Sequence, residues 1–258
     1  MFECCTFSST VNTMKLSILV FLGLVSLSWQ YDEAPRVKTP LGSLKGYYKT
    51  SQYGKKYAAY EGVPYAQPPV GKLRFQPVSG FSELVATRTG SKMGEGASCD
   101  EEEVTGCEDC LYINIYVPET NNSKLLPVMF WIHGGAFQFS SGNEADEKFI
   151  MDRDVIFVTV NYRLGPFGFL STGDSVVPGN MGLKDQSTAL RWVSEYIGKF
   201  GGNSQNITLI GLSAGGASVQ SHYLSPWSAC LFQRTLTHQL TEKYLMFLST
   251  STGWTEMG

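Results

Sequence analysis

Apolar and polar positions change rhythm several times along the chain. Lys15 is followed by the apolar run Leu16-Ser17-Ile18-Leu19-Val20-Phe21-Leu22-Gly23-Leu24-Val25-Ser26-Leu27, then by Ser28 and a polar stretch. A basic start, an apolar run of about a dozen residues and small residues at its end describe a secretory signal peptide over residues 1–28. The run is shorter than the roughly twenty apolar residues that cross a bilayer, so no stable membrane span is expected. Met14 stands just before it and offers an alternative start.

After the signal, Pro40-Leu41-Gly42-Ser43 and Lys45-Gly46 punctuate short runs that predict hairpin strands. The stretch from Val63 to Gly71 carries three prolines and is expected to be an ordered extended loop, neither helix nor interior strand. From Leu111 onward the pattern is that of an α/β sheet. Tyr112–Val117 alternates like a half-buried strand, whereas Leu126–Ile132 and Val155–Val160 are continuous apolar runs, as in central strands covered on both faces. A helix is predicted from about Leu183 to Phe200, with Leu190, Val193 and Ile197 on its apolar face and Gly201-Gly202 as its stop. Ile207–Ile210 predicts one more strand, and a second helix follows over Ala217 to about Leu224.

Composition adds little to this picture but excludes some classes. The 258 residues carry a formal net charge of -3 and no Lys/Arg-rich run, so no nucleic-acid partner is expected. Secretion changes the meaning of the six cysteines. Cys4 and Cys5 leave with the signal, and Cys99 can close a small surface loop with either Cys107 or Cys110 in an oxidising compartment. Cys107-Glu108-Asp109-Cys110 has redox-motif spacing, but no thioredoxin-like βαβ unit surrounds it and no zinc-ligand spacing accompanies it. No metal or other cofactor is expected. Asn121-Asn122-Ser123 is a glycosylation sequon in a polar loop; Asn206-Ile207-Thr208 is a weaker one, because it abuts a predicted buried strand.

The chemistry concentrates at Gly211-Leu212-Ser213-Ala214-Gly215. A serine hydroxyl is a poor nucleophile unless it is presented free of backbone crowding and a base takes its proton. Gly-x-Ser-x-Gly between a strand and a helix supplies the presentation, and the helix N-terminus directs free N–H groups at developing negative charge. His133-Gly134-Gly135-Ala136-Phe137 ends another predicted central strand, where small residues bare their backbone N–H groups. Gly135, Ala136 and Ala214 are accordingly the expected oxyanion donors. His133 is expected to orient this loop, not to act as base.

With these motifs in place, the chain resembles the type B carboxylesterase family, and secreted insect esterases most of all. The resemblance is carried by Glu61-Gly62-Val63-Pro64-Tyr65-Ala66, Leu73-Arg74-Phe75, Glu108-Asp109-Cys110-Leu111-Tyr112, Asn161-Tyr162-Arg163-Leu164-Gly165, Gly179–Gln186 and Ser213–Gln220, and covers roughly Val37 to Arg234. It implies an α/β-hydrolase fold, truncated after the nucleophile strand and helix, and a two-step acyl-enzyme mechanism at Ser213 on a small carboxylic ester. It further implies a Cys99–Cys110 disulfide that leaves Cys107 as an extra, and an Arg74–Glu108 ion pair. Leu212 stands where many members have glutamate, and Ala136 where many have a third glycine.

The resemblance also exposes what is missing. The family's acid and histidine follow the nucleophile in chain order. His222 lies nine residues along the Ser213 helix, roughly 13 Å away at 1.5 Å per residue, beyond a hydrogen-bond reach of about 3 Å. His238 and Glu242 fall in a divergent tail, 235–258, and are expected on its surface. That tail is expected not to supply the next strand, leaving the Ser213 strand with an open edge. The expected organisation is thus a signal (1–28), the N-terminal part of an esterase domain (29–234) and the tail, with weak or no hydrolysis by the chain itself. A non-catalytic secreted homologue, ligand-binding or adhesive, is the competing reading.

Overall fold

Three runs, 126–132, 156–160 and 202–212, become adjacent parallel strands, and the rest of the fold is arranged around them. A computed structural model of the chain describes residues 33–80, 106–121 and 123–238, with the backbone alone of 88–89, 98–99 and 104–105. The signal segment, Glu242 and the tail beyond His238 lie outside the described residues. Strands β1 (Arg36–Thr39) and β2 (Gly42–Lys45) form a hairpin extended by β5 (Arg88–Thr89). Strands β6 (Ser98–Cys99) and β7 (Val104–Thr105) form a second small sheet. The main sheet comprises β3 (Tyr47–Thr50), β4 (Lys56–Pro64), β8 (Tyr112–Pro118), β9 (Leu126–Ile132), β10 (Ile156–Val160), β11 (Gly202–Leu212) and β12 (Arg234–His238). Its order is β12-β11-β9-β10-β8-β4-β3, parallel from β12 to β10 and antiparallel from there to β3. Among the described residues four α-helices accompany it: α1 (Glu147–Ile150), α2 (Gly165–Phe169), α3 (Met181–Tyr196) and α4 (Ala214–Leu224).

The two apolar runs occupy the middle of this sheet: β10 is buried on both faces, as expected, whereas β9 buries Val128, Phe130 and Ile132 on one face and leaves Met129 and Trp131 half-buried and Pro127 exposed on the other. Val128, Phe130 and Ile132 of β9, with Ile156, Val158 and Val160 of β10, form one buried cluster with Ala189, Leu190 and Val193 of α3 and Val219 of α4. Each fully buried side chain of this kind contributes about 1.5–3 kcal/mol relative to an exposed one. Helix α3 runs to Tyr196 and tightens into a 3-10 turn over Ile197–Phe200, which Gly201 ends in a left-handed conformation (φ 81°). At the antiparallel end, buried Glu61 accepts hydrogen bonds from the hydroxyls of Tyr47 and Tyr116 and pairs with Lys49, which also bonds Glu147.

Three further expectations need correction. Val63 and Pro64 do not belong to an extended loop: they end β4, paired with Ile113 and Tyr112. A bulge at Gly62 (φ 66°) re-aims the strand, the Asn114 side chain accepts the Gly62 N–H at 2.9 Å, and the proline falls at the final position, where a missing donor is tolerated. The second helix starts at Ala214, not near Ala217, because the chain turns wholly at Ser213. The edge of the Ser213 strand is not open. Arg234–His238 pairs in parallel along it, from Thr208↔Arg234 to Leu212↔His238, so among the described residues β12 is the edge strand, with Leu236 exposed. Backbone pairing with β11, not an apolar pattern of its own, defines this strand.

Candidate active site

Parallel pairing of β9 with β11, Gly211 opposite Ile132, releases two loops side by side at the same end of the sheet. One is the turn at Ser213. This residue adopts φ 56° and ψ -120°, a conformation that costs an L-residue on the order of 1–3 kcal/mol. Its N–H donates to the carbonyl of His238 at 2.9 Å and its carbonyl accepts from Ala217 at 3.0 Å, so strand and helix meet at this single residue. The flanking glycines are required by contact. A Cβ on Gly211 would overlap the Gly215 carbonyl group, and one on Gly215 would overlap the carbonyl oxygen of Ile132. Ala214, the first residue of α4, has an N–H beyond the reach of any intrahelical acceptor.

The other loop begins at His133. A Cβ on Gly134 would lie 2.8 Å from the Leu212 carbonyl oxygen and 3.3 Å from Ser213 Cβ, so the glycine loop rests directly on the serine turn. Gly135, Ala136 and Phe137 follow with φ of 92°, 52° and 62°. The Gly135 carbonyl accepts from Gln138 and Phe139, while the N–H groups of Gly135 and Ala136 have no partner among the described residues. Helix α2 braces the loop: Gly165 N–H donates to the Phe137 carbonyl at 2.6 Å, and the Phe137 and Phe169 rings lie 4.9 Å apart. Arg163 joins that brace to the core. Its guanidinium pairs with Asp185 at 2.7 and 2.6 Å and also donates to the carbonyls of Arg74 and Gln76.

The chain's three histidines are all placed, and none reaches the Ser213 hydroxyl, which has no hydrogen-bond partner among the described residues. His133 is fully buried and stacks on Tyr162 with ring centroids 4.3 Å apart. Its Nδ1–H donates to the Gly134 carbonyl at 2.8 Å, its carbonyl accepts from the Tyr162 hydroxyl at 3.0 Å, and its Nε2 is unpartnered among the described residues. His222 is buried between Gln186 and Ser228. His238 offers Ser213 only its carbonyl; the ring is exposed and makes no hydrogen bond among the described residues.

Burial lowers both His133 and His222 from 6.5 to about 4, because desolvation penalises the imidazolium. Between those values the unfolded chain binds more protons than the folded one, so stability rises with pH there. The contribution is complete above about pH 6.5 and is lost as pH falls towards 4. Urea titrations across pH 4–7 are expected to show a fall on the order of a few kcal/mol. His222→Gln should flatten that fall; an unchanged pH slope in this variant counts against a neutral buried His222.

Arg74 and Glu108 form the expected ion pair, at 2.8 Å. Cys110 is buried and Cys107 and Cys230 are exposed, all three with free thiols; the side chain of Cys99 lies outside the described residues. Asn121 is exposed in the β8–β9 loop, whereas half-buried Asn206 accepts from Arg234. No helix among the described residues is long and apolar enough to cross a membrane, and none of their side chains form a group suited to a metal ion.

A parallel-centred sheet with a serine at a strained strand-to-helix elbow, abutted by a glycine loop from the neighbouring strand, defines an α/β-hydrolase fold. Within that class the chain belongs to the carboxylesterase family, whose model matches residues 33–240. It is 59% identical over 237 residues to a carboxylic ester hydrolase of Bombus ignitus, covering 87% of this chain and 42% of that one. It is 60% identical over 233 residues to venom carboxylesterase-6 of Apis mellifera, with coverage of 87% and 42%. Juvenile hormone esterase of Tribolium castaneum is 42% identical over 241 residues, with coverage of 87% and 40%. The chain thus spans less than half the length of these relatives.

Proposed function

We propose that this chain carries the nucleophile and oxyanion elements of a secreted carboxylic ester hydrolase, with Ser213 as the acyl-accepting residue. The observation that carries the reading is the strained Ser213 elbow packed against Gly134, with three N–H groups nearby that lack backbone partners. Ser213 Oγ would attack the ester carbonyl, its proton passing to a base. The tetrahedral oxyanion would be held by the N–H groups of Gly135, Ala136 and Ala214, the alcohol would leave, and water would release the acid. Secretion and glycosylation at Asn121 complete the proposal, supported by the apolar leader and the exposure of Asn121; the Cys99–Cys110 disulfide is supported by the family resemblance alone, since the Cys110 thiol is free in this structure.

One observation favours a second reading, a non-catalytic ligand-binding homologue: no histidine lies against Ser213. The chain alone is therefore expected to hydrolyse a short aryl ester only weakly, since oxyanion donors and binding without a complete triad leave about 10³–10⁴-fold over water. The test is phosphonylation by a fluorophosphonate, mapped by mass spectrometry, with imidazole added as an external base. Labelling concentrated at Ser213, accelerated by imidazole and absent in Ser213→Ala, is the expected result. Label spread over surface serines with no preference for Ser213 overturns the nucleophile assignment and leaves the binding reading. Fast, Ser213-dependent hydrolysis without imidazole overturns the expectation of weak activity.

A further inference from the structure

Next to the serine elbow, in the body of the helix it opens, lies a buried polar chain that the acyl-transfer chemistry does not use. Gln186 on α3, Ser218 and His222 on α4, and Ser228 in the following 3-10 turn are each no more than 3% exposed. His222 Nε2 lies 2.9 Å from Gln186 Oε1, and His222 Nδ1 lies 2.8 Å from Ser228 Oγ. Gln186 Nε2 donates to Ser218 Oγ at 3.1 Å, and Ser218 Oγ donates to the Ala214 carbonyl at 3.1 Å. The chain therefore ends on the residue that follows the proposed nucleophile.

The orientation of the Gln186 amide, as placed, fixes the protons along this chain. The carbonyl oxygen of Gln186 can only accept, so His222 is protonated at Nε2, and its Nδ1 accepts from the Ser228 hydroxyl. Ser228 Oγ also lies 3.2 Å from Ser187 Oγ, whose own proton is given to the Trp227 carbonyl at 3.0 Å. With Oε1 on His222, the same amide turns its NH₂ towards Ser218. Ser218 then accepts from Gln186 and keeps its only proton for Ala214. The opposite arrangement pairs the flipped amide with the Nδ1–H tautomer: NH₂ would donate to His222 Nε2, Nδ1–H to Ser228 Oγ and Ser228 to Ser187, and Gln186 Oε1 would draw the Ser218 proton away from Ala214. Because a buried donor facing a donor is not tolerated, tautomer and amide can only switch together, and Ser218 bonds Ala214 only in the Nε2–H arrangement.

We propose that His222 and Gln186 are positioning residues for the serine elbow: the imidazole tautomer sets the Gln186 amide, which directs Ser218 onto Ala214 and fixes the first turn of the helix that presents Ser213. The catalytic meaning of this relay rests on the Ser213 proposal above; the structural claim does not. A second consequence is that His222 is committed to the relay and is not available as a base for Ser213.

Three measurements on the full chain test the relay. Nitrogen-15 NMR of the histidine rings is to find His222 as the Nε2–H tautomer between pH 6 and 8; the Nδ1–H tautomer overturns the proposal. Gln186→Glu presents an acceptor to both neighbours and draws the Ser218 proton off Ala214, and Ser218→Ala removes the last link outright. In each variant amide exchange over 214–218 is expected to quicken about five- to tenfold, the size of one lost buried hydrogen bond, with exchange in β9 and β10 unchanged. Ser213 phosphonylation should slow by a similar factor while the imidazole dependence persists. Exchange in 214–218 equal to wild type in either folded variant overturns the relay, whatever the labelling does. Wild-type labelling without preference for Ser213 instead overturns the nucleophile assignment and leaves the exchange result to judge the relay.

Discussion

Replacing Gly215 with alanine is expected to destabilise the chain by about 3 kcal/mol or more and to abolish selective labelling of Ser213. The added Cβ would overlap the Ile132 carbonyl oxygen and come within 2.8 Å of the His133 carbonyl oxygen. Neither atom can retreat cheaply. Ile132 is the last residue of β9, held in register between Val160 of β10 and Gly211 of β11, and the His133 carbonyl accepts from Tyr162. Relief must come from α4, which would lift away and carry Ala214 and the Ser213 conformation with it. Gly198→Ala is the control: nothing lies within 4 Å of its added Cβ, and stability within about 0.5 kcal/mol of wild type is expected. Urea unfolding monitored by far-UV circular dichroism, with mass-spectrometric mapping of the label, reads both quantities. If Gly215→Ala retains wild-type stability and labelling, the tight approach of helix to strand is not what shapes the elbow.

That tight approach explains why the elbow is legible from residue order alone. Only glycine fits at 211 and 215, so the requirement is written into the residue type. The central strands are legible for a comparable reason, since Val128, Phe130, Ile156 and Val158 are buried between two layers and cannot be polar. Strand β12 is different. Arg234, Thr235, Leu236 and His238 are exposed, so no apolar rhythm marks them, and only the backbone of β11 makes them a strand. The start of β11 is hidden likewise: Gly202 pairs with Leu126, and the polar residues Asn203, Ser204 and Gln205 fall in a register shift before Ile207 rejoins the ladder opposite Val128. Among polar side chains the gap is widest. His222 is recognisable in the sequence as too far along its helix to serve Ser213, but its bonds to Gln186, 36 positions away, depend on how α3 packs against α4.

Arg163→Met is expected to cost about 3–5 kcal/mol, because it strands a carboxylate with no access to water. Asp185 is fully buried, and the Arg163 side chain is 3% exposed. The guanidinium meets both Asp185 oxygens while the Arg163 N–H donates to Oδ2 at 3.1 Å. Its remaining nitrogen serves the carbonyls of Arg74 at 3.0 Å and Gln76 at 2.9 Å. The pair therefore does two jobs, one electrostatic and one as a cap for the turn at 74–76, and the variants separate them. Adding Asp185→Asn to Arg163→Met removes the stranded charge and keeps an acceptor for the Arg163 N–H, so roughly half of the loss should return. The two carbonyls still lack a donor, each costing about 1–3 kcal/mol when buried, so recovery should remain incomplete. Full recovery would assign the whole effect to the charge, and no recovery would assign it to the capped turn. Arg163 also leads into α2, whose Gly165 donates to Phe137 of the glycine loop. Loss of the guanidinium is thus expected to quicken amide exchange in α2 and the glycine loop before it does so in β9, which ties a buried ion pair to the placement of the proposed oxyanion donors.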